Sequence, residues 1–460
     1  MPGSPPFHKI LIFAWPETSA YNATFRLSRV LSQHGYEIVY ALPARWQEHV
    51  ARQGFAAVET NIQHPREKPG NWLATLTHSQ KQAQQQILEL CESLAWVKSG
   101  GFCLVLLHSN LWQYALVFHK LGIPSVAMDP GLGSTWNLEI PPIFSPLQPL
   151  SGLSLFNYLQ NSFAWLTLRY FGTFNHRYHG IIQDNPVGFT GMAASMWAGA
   201  KHFWLTLTEP LRLPVYFQWL HLARHAGIQV GWGDYGHRLS GPEIILGPEA
   251  VDFPKRKSTT SRLYAGACFD PQHAEESFVW EHLNPQLPVV YCAIGSHGAY
   301  WNQANRRRLV DSMITAFKMQ PSWQLLLQAD PDVDLASHLP LPENIHAAVW
   351  FPQQQVLQHA ALMISHGGFG TVREALYNGV PLVIFPFGVD QPGNAARVSR
   401  LGAGLVGNIQ TVTPKTITTM VDIVLNDPAF RKNALRLSQI LQAGNSCEQA
   451  VDFISTLVKT

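Results

Sequence analysis

Charge is scarce in this sequence. Asp, Glu, Lys and Arg together make up 13% of its 460 residues, and 32 basic against 30 acidic side chains leave a formal net charge of +2. Such a balance argues against a nucleic-acid binder that works mainly by neutralising phosphates. The short run Lys255, Arg256, Lys257 reads as a solvated linker. Cysteine is also sparse: Cys91, Cys103, Cys268, Cys292 and Cys447 are odd in number, widely scattered and never spaced CxxC. That excludes a disulfide framework and a structural zinc site, and a reducing compartment fits best. No uninterrupted apolar stretch reaches the ~20 residues a membrane span needs. The first apolar run, Ile10 to Trp15, has no basic region ahead of it and stops at Pro16, unlike a secretory signal. A cytoplasmic protein is therefore expected, with peripheral membrane contact left open. A Walker loop is missing too, because no GxxxxGK occurs.

What the chain does have is apolar substance, 46% of its residues. Ile10 to Ala14 is a continuous apolar run of the kind that forms a strand covered on both faces. Phe25, Leu27, Val30 and Leu31 follow at helical spacing, and Ile38 to Ala41 reads as a second strand. Cys103 to Leu107 gives another strand. The helix after it stops at Gly122 and Pro124, ahead of a strand at Ser125 to Ala127. Alternation of this kind means a parallel sheet with crossover helices. Between Ser151 and Ser240, 17 of 90 residues are aromatic, against 11% overall. This segment predicts either an apolar pocket or surface, or an aromatic-rich helical core.

Gly, Pro and Ser then accumulate from Gly241 to Ser261, as they do at domain boundaries. The alternation restarts with strands at Val289 to Ile294, Trp323 to Gln328, Leu362 to Ser365 and Leu382 to Phe385, and a helix from about Arg306 to Met319. The resulting division is 1–245 for a first domain, 246–286 for a linker region, 287–446 for a second domain and 447–460 for a terminal helix with Val451, Ile454 and Val458 as its apolar stripe.

Gly231-Trp232-Gly233-Asp234-Tyr235-Gly236 matches GxGxxG, but Ser240, Gly241 and Pro242 forbid the helix that a dinucleotide site requires next. The informative region is instead 350–394. There a strand ends at Ser365, a turn follows through His366, Gly367 and Gly368, and a helix starts near Thr371. Helix-start amides suit a diphosphate, glycines at 367, 368 and 370 allow close approach, and His366 and Thr371 add donors. Glu374 stands one turn into the helix, where a carboxylate can accept both hydroxyls of a ribose.

Trp350-Phe351-Pro352-Gln353, His366-Gly367-Gly368, Glu374 and Asp390-Gln391, in that order, resemble the donor signature of the UDP-glycosyltransferase family. The resemblance is dense over about 45 residues and weaker across most of the chain, with Tyr291, Gly295 and Ser296 among the weaker matches. It implies an α/β protein of two facing Rossmann-like domains (GT-B), with the C-terminal helix packing back on the first domain. It further implies that Trp350 stacks on uracil and that Gln353 helps fix base and ribose. Ser296, His366, Gly368, Gly370 and Thr371 would meet the diphosphate, with Gly370 where plant members carry Asn. Glu374 would bind the ribose, and Asp390 and Gln391 the transferred sugar, most often glucose. No cofactor or metal is implied; the partners are a UDP-sugar and a small-molecule acceptor, which the aromatic segment suggests is lipophilic or planar. Asp330-Pro331-Asp332 has metal-motif spacing but reads as a turn.

The resemblance breaks at the catalytic dyad. Counting back from Leu31 puts Ala20 where the family carries its catalytic His. Counting back from Leu121-Gly122-Ile123-Pro124 puts His108 where the family carries Asp. Either the base has moved to His108, whose imidazole suits the task, or His108 is a strand-end residue and Glu17 or Asp129 serves. Three classes remain open: an inverting transferase, a nucleotide-sugar-binding pseudoenzyme or partner subunit, and a sugar-nucleotide epimerase.

Overall fold

The computed structural model describes residues 8–62, 72–133, 135–149, 154–172, 213–234, 236–254, 262–268, 280, 283–295, 302–329, 333, 335–444 and 446–458. The apolar runs form strands where expected. β1 is His8–Phe13, β2 Tyr36–Leu42, β3 Ala56–Glu59, β4 Phe102–His108 and β5 Ser125–Asp129. After a hairpin of β6 (Val230–Gly233) and β7 (Gly236–Leu239), the short strands β8 (Glu243–Ile245) and β9 (Arg262–Tyr264) complete a seven-stranded sheet ordered β3-β2-β1-β4-β5-β8-β9. All its pairings are parallel. β9 lies inside the stretch read from sequence as linker. A three-residue edge strand carries too little pattern to be seen in composition, so the first sheet runs on to Tyr264.

The second sheet has six parallel strands: β10 (Val289–Ala293), β11 (Gln324–Gln328), β12 (Ile345–Ala348), β13 (Leu362–Ser365), β14 (Leu382–Ile384) and β15 (Gly404–Val406). Their order is β12-β11-β10-β13-β14-β15. In each sheet the chain winds outward for three strands and then returns to the other side of the first. This leaves a crevice at the carboxyl ends of β1 and β4 in one domain, and of β10 and β13 in the other. Ligands of doubly wound sheets bind at such reversal points.

Apolar side chains cover both faces of both sheets. One cluster crosses between the domains and packs Leu132, Ile143, Trp165 and Ile245 with Phe369, Val372 and Ala395. Polar ties reinforce it: the Gly393 amide donates to the Ile143 carbonyl at 2.9 Å, and Arg373 donates to the Leu246 carbonyl at 2.6 Å. The helix Ser446–Val458 lays Ala450, Val451 and Ile454 into the core of the first domain, beside the helix Thr18–Gln33. Full burial of the two larger side chains is worth roughly 1.5–3 kcal/mol each. Tyr36 also donates its hydroxyl to Ser455 Oγ at 2.9 Å. The helix thus returns across the molecule, as the apolar stripe and the resemblance predict.

The aromatic segment divides. Trp165 and Trp219 are buried in helices Ser154–Gly172 and Leu213–His225, whereas Leu155, Phe156 and Leu159 point outward from the first of these. Residues 173–212, most of the segment's middle, lie outside the described residues.

Candidate active site

β13 delivers the chain to His366, Gly367 and Gly368 at the crevice of the second sheet, and the helix Phe369–Tyr377 begins there. Its N-terminus has no side-chain cap and no acidic residue in its first turn, so its amides present unopposed partial positive charge. The glycines divide their work. A Cβ on Gly368 would stand 2.5 Å from His366 Nε2, and one on Gly295 would stand 2.7 Å from its Cε1. These two glycines make room for the imidazole, which lies between them. Gly367 has φ +89, and its would-be Cβ meets Ile384. Among the described residues, nothing crowds the space beside Gly370 at the helix start. The Thr371 hydroxyl, in the same turn, forms no hydrogen bond among the described residues.

One wall of this crevice is polar and cross-linked. Gln328 accepts from the Tyr291 hydroxyl at 2.9 Å and from the Phe351 amide at 3.2 Å. Gln353 donates to Glu374 at 2.6 Å. Burial raises the Glu374 carboxyl above its usual range, and the Gln353 hydrogen bond opposes that rise. Beside the wall, Phe351 is buried but Trp350 is 50% exposed, leaving an indole free to receive a planar ring. Gln328 carries no signal in the sequence, since its role depends on β11 lying next to β10.

The loop after β14 sets the other side. Val389 has φ +58, a left-handed conformation that a β-branched residue adopts at a cost of order 1–3 kcal/mol. Gln391 holds this turn, because its Oε1 accepts the amides of Phe387 at 2.7 Å and Gly388 at 3.1 Å. Its carboxamide oxygen is thereby occupied. Asp390 is partly open, and its Oδ2 accepts from Asn394 at 2.8 Å. Desolvation pushes the Asp390 carboxyl up to about 6, with Glu17 and Asp129 of the first domain adding to the rise.

On the first-domain side, Ala20 is buried. His108 ends β4 and is nearly sealed; its Nδ1 accepts the Asn110 amide at 3.3 Å and caps the turn that follows. Burial pushes its imidazole down to about 4, with Asp129 opposing and Arg238 adding to the shift. Asp129 is fully engaged. Its Oδ1 accepts the Gly131 amide at 2.8 Å, and its Oδ2 meets Ser109 at 3.0 Å and Arg238 at 2.8 Å. Burial alone would raise this carboxyl, but the Arg238 charge and these hydrogen bonds hold it below its usual range. From Arg238 a chain of buried charges continues through Glu243, Arg262 and Asp252 to Arg397, whose guanidinium meets Asp252 at 2.7 Å. Arg397 stands on the same helix as Gln391. The chain therefore runs from the first-domain cleft to the helix that positions Asp390.

The GxGxxG match forms the antiparallel β6–β7 hairpin, and its Asp234 accepts the Ile143 amide at 2.7 Å. It makes no nucleotide turn. Ser296, Lys255 to Lys257, Asp330 and Asp332 lie outside the described residues.

Residues 326–454 match a family model described as "Erythromycin biosynthesis protein CIII-like, C-terminal domain". Human UDP-glucuronosyltransferase 2A1 is 37% identical over 102 residues, which are 22% of this chain and 19% of that protein. Demethyllactenocin mycarosyltransferase of Streptomyces fradiae is 24% identical over 98% of this chain and 86% of its own. The solved structure of the glycosyltransferase VinC in complex with DTDP superposes with a TM-score of 0.62 at 15% identity, covering 98% of this chain and 99% of that one. The architecture is the GT-B fold.

Proposed function

The chain belongs to the UDP-glycosyltransferase family, and on that premise we propose that it transfers a sugar from a UDP-sugar to a hydroxyl of a small acceptor. The observation that carries this reading is the convergence at one crevice of an uncapped helix start, an exposed indole at Trp350 and the Gln353–Glu374 pair. The helix amides, Gly370, Thr371 and His366 take the diphosphate, together with Ser296. Trp350 stacks on the base, while Gln353 and Glu374 take the ribose diol. Asp390 receives hydroxyls of the sugar, glucose by preference, and the Gln391 amide group assists from beneath. Transfer is a direct displacement that inverts the anomeric carbon, without a metal ion, so chelation leaves turnover unchanged. Outward-facing Leu155, Phe156 and Leu159 on the first domain support a lipophilic or aromatic acceptor.

A thymidine diphosphate donor is the second reading, since VinC was solved with that nucleotide. The Glu374 carboxylate favours an intact ribose and hence UDP. Titration calorimetry decides: UDP binds more tightly than its deoxy analogue on the first reading, whereas equal affinities overturn it. The transfer itself is tested by acceptor screening with mass spectrometry. The expected result is release of UDP that depends on an acceptor and yields a glycoside; release without any glycosylated product refutes the proposal.

A further inference from the structure

We propose that Glu17 is the catalytic residue that takes the proton from the acceptor hydroxyl. This assignment rests on the transferase reading above and departs from the His108 alternative. A displacement of this kind needs a base on the domain opposite the donor, at the mouth of the crevice between β1 and β4. Four residues lie at or just past the carboxyl ends of β1, β4 and β5: Glu17, Ala20, His108 and Asp129. Ala20 has no ionisable group. His108 is nearly sealed, and its Nδ1 is committed to the Asn110 amide. Both Asp129 oxygens are occupied, one by an amide and the other by a guanidinium and a hydroxyl.

Glu17 differs from all three. It lies just past the carboxyl end of β1 and caps the helix Thr18–Gln33 through its backbone, without a side-chain capping bond. Its side chain is therefore available. Trp15 Nε1 donates to Oε1 at 3.1 Å and orients the carboxylate. Oε2 has no partner among the described residues. The charge of Glu17 is felt at Asp390, the residue proposed to hold the sugar.

In the step itself, the hydroxyl proton passes to Glu17 Oε2 while a lone pair of the acceptor oxygen bonds to the anomeric carbon. The bond from that carbon to the phosphate oxygen breaks, and its electron pair leaves on the nucleoside diphosphate. Glycoside, UDP and a protonated Glu17 account for every atom and charge, and the proton is later lost to water.

The test uses the full chain with UDP-glucose and two acceptor probes, benzyl alcohol and the far more acidic phenol 4-methylumbelliferone. Glu17→Gln keeps the acceptor for Trp15 and removes the base. Its expected effect on benzyl alcohol glycosylation is a fall in kcat of ~10²–10⁴-fold, with a smaller fall for the phenol, which needs less help to ionise. The Kd for UDP stays unchanged by calorimetry, and Glu17→Asp retains more activity than Glu17→Gln. Wild-type turnover in Glu17→Gln, or an equal loss with both probes, overturns the assignment while leaving the transferase reading intact. A wild-type protein that glycosylates neither probe nor any acceptor of the screen overturns that reading, and the assignment with it.

Discussion

Asp390 should make the unliganded protein less stable at neutral pH than it is with an amide in the same place. Its carboxyl is raised from 3.8 to about 6, desolvation being the largest cause. A carboxyl raised in the folded state contributes stability that is complete below its unfolded value and is lost as pH rises through the folded value. A rise of this size corresponds to roughly 3 kcal/mol. Because the side chain is partly open to solvent, we discount this to about 1–3 kcal/mol. Asp390→Asn removes the titration yet keeps an oxygen for the Asn394 amide. Calorimetric Tm values across pH 4 to 8 should therefore show the variant above wild type at pH 7.5, the two curves merging near pH 4. Glycosyl transfer should fall in the same variant, because the group proposed to hold the sugar loses its charge. Identical Tm values at pH 7.5, or a variant less stable at every pH, would refute the reasoning that this carboxylate is kept desolvated for a ligand.

His108 provides the opposite slope. Its imidazole is lowered from 6.5 to about 4, so stability is full above the unfolded value and is lost as pH falls toward 4. His108→Asn, which can still accept the Asn110 amide, should lose less stability than wild type over that window, by up to about 3 kcal/mol in urea titrations. Gly393→Ala should disturb the domain contact, because its Cβ would stand 2.1 Å from the Ile143 carbonyl oxygen; a lower Tm and a changed small-angle scattering profile are expected. Arg397→Ala takes the nearest cation from buried Asp252, leaving it Arg262 at 4.0 Å, and should cost up to ~3–5 kcal/mol, read as a fall in the urea midpoint. Deleting residues 447–460 removes Val451 and Ile454 from the first-domain core they cover and should give a chain that aggregates or loses transfer; full activity after truncation would show the helix to be dispensable.

Local pattern carried much of this protein. The continuous apolar runs at Ile10, Cys103, Val289 and Leu362 declared buried parallel strands, because a strand covered on both faces has no polar side to alternate with. The turn from Ser365 to Thr371 declared a helix start, since its glycines and the following apolar spacing are sequential neighbours. The proline at 242 was enough to dismiss the GxGxxG match. Short edge strands such as β3, β9 and β15 were silent, because three or four residues carry no period. What tertiary structure alone decided is which groups remain free. His108 and Asp129 look as suited to proton transfer as Glu17 when each is read in sequence. Burial silences the first, and Arg238, 109 positions farther along the chain, occupies the second. Gly295 and Gly368 make room for a single imidazole though they stand far apart in sequence. Desolvation and charge pairing depend on what packs around a side chain, and that packing exists only once both sheets have formed and closed on each other.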